Sequence, residues 1–191
     1  PEHVLPTNEQ LHTIRSYSNR KNAVTILSAL TRSHSDYCGS SLYFDDISLL
    51  LHYIASHPAN YVLKMPLSGS GKGLVWMRDC TLTDKQVDWC RRVVKLQGGV
   101  VVEPILHKAI DFAMEFEIDN HHKLSFIGYS LFQSASSGAY EGNLLLPDHA
   151  IEEKLGHYIS IDLLHATQAR VAAELKKHFP LYRGTLGVDM M

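Results

Sequence analysis

The segment that most restricts the possible folds is a glycine-rich loop between two apolar runs, at residues 61–77. Its sequence is YVLKMPLSGSGKGLVWM, with glycine at positions 69, 71 and 73. Glycines at alternate positions let backbone N–H groups approach an anion closely and surround it. Because the apolar runs on both sides have strand character, the segment predicts a β-hairpin with an anion-binding loop at its tip.

Lys64 lies within the first apolar run. Burying an ammonium group without a partner is costly, so the side chain needs an anion, and a phosphate is a natural one. The alternative is a flexible hairpin whose lysine extends to solvent. Both interpretations fit this segment when it is considered alone.

The loop is not a P-loop. The pattern G-x-x-x-x-G-K-[ST] requires glycine where Pro66 stands and Ser or Thr where Gly73 stands. A P-loop also opens a helix, whereas residues 74–77 have strand character. A glycine-rich hairpin that covers phosphates, as in protein kinases, fits better.

Two further patterns follow along the chain. Residues 100–106, VVVEPIL, predict a buried strand that ends on Glu103 and is followed by Asp111. Residues 184–189, GTLGVD, predict a last strand that carries Asp189 near the end of the sequence. Taken alone, Glu103 is as well explained as a solvated strand-end carboxylate, and Asp189 as a carboxylate near a free chain end.

In this order the three patterns resemble the ATP-grasp superfamily, which includes D-alanine–D-alanine ligase, biotin carboxylase and glycinamide ribonucleotide synthetase. The resemblance covers most of residues 20–191. It implies that the strand lysine and the lid hold the phosphates of ATP. The corresponding residues here are Lys64, Ser68, Gly69, Ser70, Gly71, Lys72 and Gly73.

The resemblance also assigns the rest of the nucleotide. Glu103 belongs to the hinge that holds adenine, with the Pro104 carbonyl accepting from the amino group and the Leu106 N–H donating to a ring nitrogen. Asp111 takes the ribose hydroxyls, although it is displaced by one residue from the commonest family spacing and is Asp where Glu is usual. Asp189 matches a magnesium ligand, since hard carboxylate oxygens suit that ion.

Several positions depart from the family pattern. No E-[IV]-N-x-R sequence, which supplies the other metal ligands, is present. The resemblance therefore predicts that the chain is cut short before that strand and is inactive alone. Tyr140 and Asn143 stand where the family often has a phosphate-binding lysine, and Glu141 either faces the ligand or belongs to an ordinary loop. The pair Arg20-Lys21 matches the place of an early phosphate-directed basic residue, with a solvated helix face as the alternative.

Composition excludes some function classes. The sequence has 18 basic and 20 acidic residues, a net charge of −2, and so no basic excess for nucleic acid. No apolar run approaches the roughly 20 residues that cross a bilayer. Three cysteines without CxxC spacing predict neither a disulfide framework nor a zinc site, and favour a reducing cytoplasm.

Mixed strand pairs and helices predict an α+β fold. The resemblance implies two lobes, a glycine-rich hairpin lid and an incomplete second lobe. Capping boxes at residues 7–10 and 83–86 predict helix starts, and residues 109–118 and 124–132 predict a hairpin. Helices are expected at 148–157 and 160–179. We expect an N-terminal helical segment at 1–35, a small lobe at 36–102 and a large lobe at 103–191.

The resemblance implies the ATP-binding part of an ADP-forming ligase, with ATP and magnesium as cofactors and small-molecule carboxylate and amine substrates. The carboxylate would be activated as an acyl phosphate. A non-catalytic nucleotide-binding module is the alternative. A kinase-like phosphotransferase is disfavoured, because the H-R-D and D-F-G motifs are absent.

Overall fold

The computed structural model describes residues 5–34, 37, 39–69 and 71–191. Ser70 of the predicted lid and Cys38 lie outside the described residues. The described residues form six helices and eight strands in two antiparallel sheets, which confirms the α+β class. The chain separates into two units, one formed mainly by residues up to Ile105 and the other mainly by Leu106–Met191.

The described part of the first unit contains four helices and four strands. They are α1 (Asn8–Tyr17), α2 (Lys21–Ser33), β1 (Leu42–Phe44), α3 (Ile47–Ser56), β2 (Tyr61–Lys64), β3 (Leu74–Met77), α4 (Asp84–Gln97) and β4 (Val100–Pro104). The sheet order is β1-β4-β2-β3, and every neighbouring pair is antiparallel.

The helix ends of this unit follow the local sequence. Both predicted capping boxes are confirmed: Thr7 and Thr83 each accept a hydrogen bond from the third helical N–H, and Gln10 and Gln86 reach back. α4 ends at Gly98, whose left-handed backbone suits glycine. α3 begins at Ile47, because the side chain of Asp46 caps the N–H groups of Ser48 and Leu49.

Alternation along the strands gives the first sheet two different faces. Leu63, Val100 and Val102 pack into a buried core that also contains side chains from α3 and α4. The residues between them therefore point to the opposite face. On that face lie Lys64 and Glu103, so the strand period places both candidate charges away from the helix-covered core.

The second unit is a sheet followed by two helices and a returning strand. Its elements are β5 (Asp111–Ile118), β6 (Leu124–Ser134), β7 (Tyr140–Leu144), α5 (Asp148–Leu155), α6 (Ile161–His178) and β8 (Gly184–Met190). The sheet order is β7-β6-β5-β8, all antiparallel. Both helices contact β6. Within the described part of the chain, none of the helices combines the length and apolar character that a membrane crossing needs.

β7 was not predicted from the sequence. Its residues, YEGNL, are mostly polar and exposed, so no alternation of apolar side chains marks them as a strand. The strand forms because its backbone pairs with β6, with a register shift at Gln133/Ser134. Here tertiary pairing outweighs local preference.

The core of the first unit provides a test of the fold. Leu50 in α3 is fully buried, whereas its neighbour Leu49 is 60% exposed. We expect Leu50→Ala to lower the free energy of unfolding by about 2–5 kcal/mol, through lost burial and a cavity. Leu49→Ala should change it by about 0.5 kcal/mol or less. Chemical denaturation followed by circular dichroism measures both, and equal effects would contradict the assigned helix face.

Candidate functional site

Lys64 and Glu103 form an ion pair on neighbouring strands of the first sheet. The register places Lys64 opposite Val101 and Glu103 opposite Val62, so the two side chains are diagonal neighbours on one face. They are only 21% and 26% exposed, and Ser41 Oγ donates to Glu103 Oε1 at 3.0 Å. Glu103 therefore supplies the anion that the sequence position of Lys64 requires, and Lys64 does not simply extend into solvent.

Arg20, just before α2, holds the base of the glycine-rich loop. Its Nη1 donates to the Met65 carbonyl and to Ser68 Oγ, the latter at 2.7 Å. Its backbone N–H donates to the Pro66 carbonyl at 3.0 Å. The side chain thus contacts the loop itself, whereas the sequence left open a phosphate-directed role or a solvated helix face.

Gln97, at the end of α4, holds the same segment from another direction. Its Oε1 accepts from the Leu67 N–H at 2.8 Å, and its Nε2 lies 3.7 Å from Met65 Sδ. The hairpin closes where the Met65 N–H donates to the Gly73 carbonyl at 2.8 Å. Residues 65–68 are therefore anchored, and the predicted lid has a fixed base.

The lid glycines are not equivalent. Gly71 and Gly73 have positive φ angles, 73° and 67°, and residues with a side chain rarely adopt this backbone region. A Cβ added to Gly73 would lie 2.7 Å from Ser68 Oγ, whereas one added to Gly69 would meet nothing within 4 Å. The backbone turn and the close packing with Ser68 therefore both require glycine at position 73. Neither requires glycine at position 69.

The predicted adenine-binding residues follow directly after the ion pair. Pro104 is the last residue of β4 and lies opposite Tyr61 in the register. The Ile105 N–H donates to the Asn60 carbonyl at 3.0 Å, so pairing continues one residue beyond the strand. Leu106 comes next and is exposed.

Asp111 begins β5 in the second unit and is only 8% exposed. Its Oδ2 forms an ion pair with Lys108 and accepts from Ser134 Oγ at 2.5 Å. Lys108 Nζ also donates to Ser134 Oγ at 2.9 Å, which closes a ring of three polar contacts. These three residues and Glu141 line an open cavity of about 330 Å³.

Asp189 lies in β8 opposite Ala113 of β5. Strand alternation places it on the same face as Asp111 and Glu115. Glu115 lies over Gly187, where an added Cβ would come within 2.8 Å of its Oε2, and its Oε1 accepts from Ser130 Oγ at 2.8 Å. Among the described residues, however, no three Asp, Glu, His or Cys side chains converge to hold a metal ion.

This acidic face does not by itself make a complete magnesium site. Magnesium usually binds through one or two carboxylates together with water and substrate phosphates. Asp189 fits such a partial role, because its side chain is exposed at its position opposite Ala113. A metal held there therefore depends on oxygens that a bound nucleotide supplies.

Sequence reasoning missed the groups that support the assigned residues. They are Ser41, Gln97, Lys108, Glu115 and Ser134. Two of them carried a local signal: Lys108 stands three residues before Asp111, and Glu115 stands two strand periods after it. Ser41, Gln97 and Ser134 carried none, since their contacts span 23 to 62 residues of chain.

The strongest pKa shifts lie in the two cores. Burial raises the pKa of the Cys90 thiol to about 11. Burial, together with the nearby carboxylates of Glu152 and Asp148, raises the pKa of Tyr129 to about 12. Both groups are therefore protonated at neutral pH, and neither provides an activated nucleophile.

Comparison with known proteins gives matches of fold. No protein-family profile matches the sequence, and neither does any curated protein. N5-carboxyaminoimidazole synthetase from Staphylococcus aureus, complexed with ADP, matches over 90% of this chain and 40% of its own, with a TM-score of 0.57 and 12% identity. A D-cycloserine synthetase matches over 93% of this chain and 58% of its own, with a TM-score of 0.61 and 12% identity.

A third match is the biotin carboxylase domain of Hydrogenobacter thermophilus 2-oxoglutarate carboxylase, in complex with MgADP, ADP and bicarbonate. It matches over 90% of this chain and 36% of its own, with a TM-score of 0.60 and 11% identity. These likenesses show that the chain has the ATP-grasp fold that its motifs resemble. The chain spans about two fifths of the length of the N5-carboxyaminoimidazole synthetases that it matches.

The two lid glycines allow a matched test of the loop base. We expect Gly73→Ala to lower the free energy of unfolding by about 1–2 kcal/mol, because alanine is strained at positive φ and would collide with Ser68. Gly69→Ala should have an effect of about 0.5 kcal/mol or less.

Amide hydrogen exchange provides the second measurement. The Met65 N–H, which donates to the Gly73 carbonyl, should exchange faster in Gly73→Ala and not in Gly69→Ala. Unchanged protection of Met65 in both variants would show that Gly73 does not set the closure of the hairpin.

Proposed function

We propose that this chain is the nucleotide-binding part of an ATP-dependent, ADP-forming ligase. In this reaction a carboxylate oxygen of the substrate attacks the γ-phosphorus of ATP, and the bond from phosphorus to the ADP oxygen breaks. An amine or similar nucleophile then attacks the acyl carbon, and inorganic phosphate leaves. The substrates are small molecules, and the compartment proposed from the cysteine pattern is the cytoplasm.

The observation that carries the proposal is the Lys64–Glu103 pair beside the anchored glycine-rich hairpin. Lysine, lid and strand-end glutamate occur in the family order, on a fold shared with proteins crystallised with ADP. In the first unit, the sheet register brings the lysine and the glutamate together although 39 residues separate them in sequence. A solvated lysine and an unrelated strand-end carboxylate would not require that arrangement.

Each residue then has a role that its position allows. Lys64 and the lid residues Ser68, Gly69, Ser70, Gly71, Lys72 and Gly73 hold phosphates. Glu103, Pro104 and Leu106 hold adenine, and Asp111 holds the ribose. The protein thereby contributes positioning and charge neutralisation, which dominate catalysis of phosphoryl transfer.

Magnesium would neutralise the charge that develops on the phosphate oxygens. Asp189 is the proposed protein ligand in this chain. Because its neighbours do not complete a site, its task is to hold the ion together with the nucleotide. Glu115, on the same face and hydrogen-bonded to Ser130, adds negative potential nearby.

A non-catalytic nucleotide-binding module remains the second candidate. The observation that favours it is the lack of a three-ligand metal cluster in residues 5–34, 37, 39–69 and 71–191. Both candidates bind nucleotide, but only the ligase releases phosphate from ATP when its carboxylate and nucleophile are supplied. Phosphate release by the whole protein, assayed with a panel of carboxylates and amines, distinguishes them.

Nucleotide binding is the direct test of the proposal. We expect ADP to bind the chain, and Lys64→Ala to weaken binding about tenfold or more, because a charge-assisted contact to phosphate is lost. Lys95→Ala, which removes an exposed charge from α4, is the matched control and should leave the affinity unchanged. Isothermal titration calorimetry measures all three affinities, and thermal denaturation verifies that the variants fold.

The outcomes separate two errors. If ADP binds equally well to the unmodified chain and to Lys64→Ala, the nucleotide site lies elsewhere. If no adenine nucleotide binds at any accessible concentration, the proposed function is wrong for this chain.

Magnesium gives an independent prediction. Magnesium alone should leave the melting temperature unchanged, because the described residues form no complete site. Magnesium with ADP should raise it above the value with ADP alone, since bound ligands stabilise the folded state. Asp189→Asn should remove that additional rise, and Asp79→Asn, at an exposed aspartate, should not. A melting temperature that rises with magnesium alone would point to a metal site independent of nucleotide.

A further inference from the structure

A polar cavity of about 330 Å³ in the second unit contains a charge arrangement that the motif assignments do not explain. Asp111 lies at its wall with Lys108 and Ser134 bound to the same carboxylate oxygen. We propose that Lys108 and Ser134 are positioning residues that hold Asp111 as a selective acceptor for a vicinal diol. The inference rests on the proposed function, since the diol would belong to the ribose of the nucleotide.

The first step is the burial of Asp111. A carboxylate that is only 8% exposed needs compensation, because an isolated buried charge is strongly unfavourable. Lys108 provides the opposite charge, and its own side chain remains 36% exposed. In this pair the carboxylate of Asp111 is therefore buried, whereas the side chain of Lys108 remains accessible to solvent.

The second step is the difference in hydrogen-bond partners between the two carboxylate oxygens of Asp111. Oδ2 accepts hydrogen bonds from both Lys108 Nζ and Ser134 Oγ. Within the described part of the chain, Oδ1 accepts no hydrogen bond. Because no buried side-chain oxygen or nitrogen of the described residues lacks a partner, Oδ1 keeps solvent-accessible surface, and Asp111 is among the residues that line the cavity. One oxygen thus fixes the carboxylate and the other is left to accept from a ligand.

The third step is the ring of contacts. Lys108 Nζ donates to Ser134 Oγ at 2.9 Å, and the hydroxyl hydrogen of Ser134 is directed to Asp111 at 2.5 Å. This orients the serine as acceptor from lysine and donor to aspartate, so each member fixes the other two. Ser134 follows the register shift of β6, where β7 pairing is irregular, and this bulge places its side chain beside Asp111.

The charges of the cavity indicate what it accepts. Lys108 and Asp111 cancel, and Glu141 adds one negative charge to the lining. An anion such as phosphate is therefore disfavoured here, while a neutral group with hydroxyl donors finds two carboxylates as acceptors. A ribose diol fits this description, and a sugar without hydroxyls does not.

The test compares ADP with 2′,3′-dideoxy-ADP, which lacks both hydroxyls, by isothermal titration calorimetry on the whole chain. The unmodified chain should prefer ADP by about tenfold or more, as expected for a charge-assisted hydrogen bond. Lys108→Met and Ser134→Ala should each reduce this preference several-fold by weakening ADP and leaving dideoxy-ADP unchanged. Lys108→Arg and Ser134→Thr should restore it, and Lys154→Met, at an exposed lysine of α5, is the charge control.

The ratio of the affinities for ADP and dideoxy-ADP distinguishes positioning from general structural damage, because damage to the fold weakens the binding of both nucleotides equally. Equal weakening of ADP and dideoxy-ADP by Lys108→Met and Ser134→Ala would overturn the inference while leaving nucleotide binding intact. Tighter ADP binding by Lys108→Met would also overturn it, since Lys108 would then compete with the ribose. Failure of the unmodified chain to bind ADP would instead reject the proposed function.

Discussion

The structure of the candidate site in the first unit depends on one interaction, the ion pair between Lys64 and Glu103. Two charges on adjacent antiparallel strands can meet only if the strand register and the alternation of faces both permit it. A slip of one residue in β2 would turn Lys64 into the apolar core and Leu63 out of it. The fully buried Leu63 therefore sets the register that delivers Lys64 to Glu103.

The same constraint explains why the glycine-rich loop has a fixed base. Arg20 lies just before α2 and Gln97 at the end of α4, and both contact residues 65–68. Because α4 begins at a capping box and ends at Gly98, the position of Gln97 is set by local sequence. The hairpin thus begins from an anchored segment, and of its three glycines Gly69 alone has open space where a Cβ would lie.

Sequence reasoning reached the elements whose signals are local. The capping boxes at Thr7 and Thr83, the glycine stop at Gly98 and the apolar strands were predictable, because each depends on neighbouring residues. β7 was not, since its polar residues form a strand only by pairing with β6. The candidate site divides in the same way: motif spacing indicated Lys64, Glu103 and Asp111, whereas contacts across 62 residues to Ser41 left no trace in the sequence.

Each unit holds its proposed ligand-binding carboxylate by the same kind of contacts. In each, a carboxylate assigned to the nucleotide is paired with a lysine and hydrogen-bonded to a serine: Glu103 with Lys64 and Ser41, and Asp111 with Lys108 and Ser134. A carboxylate held in this way keeps its charge and orientation before a ligand arrives, so less ordering remains to oppose binding. The difference lies in the lysines. Lys64 is assigned to phosphate, so binding must redistribute its contacts, whereas Lys108 can stay in place because Oδ1 of Asp111 remains available.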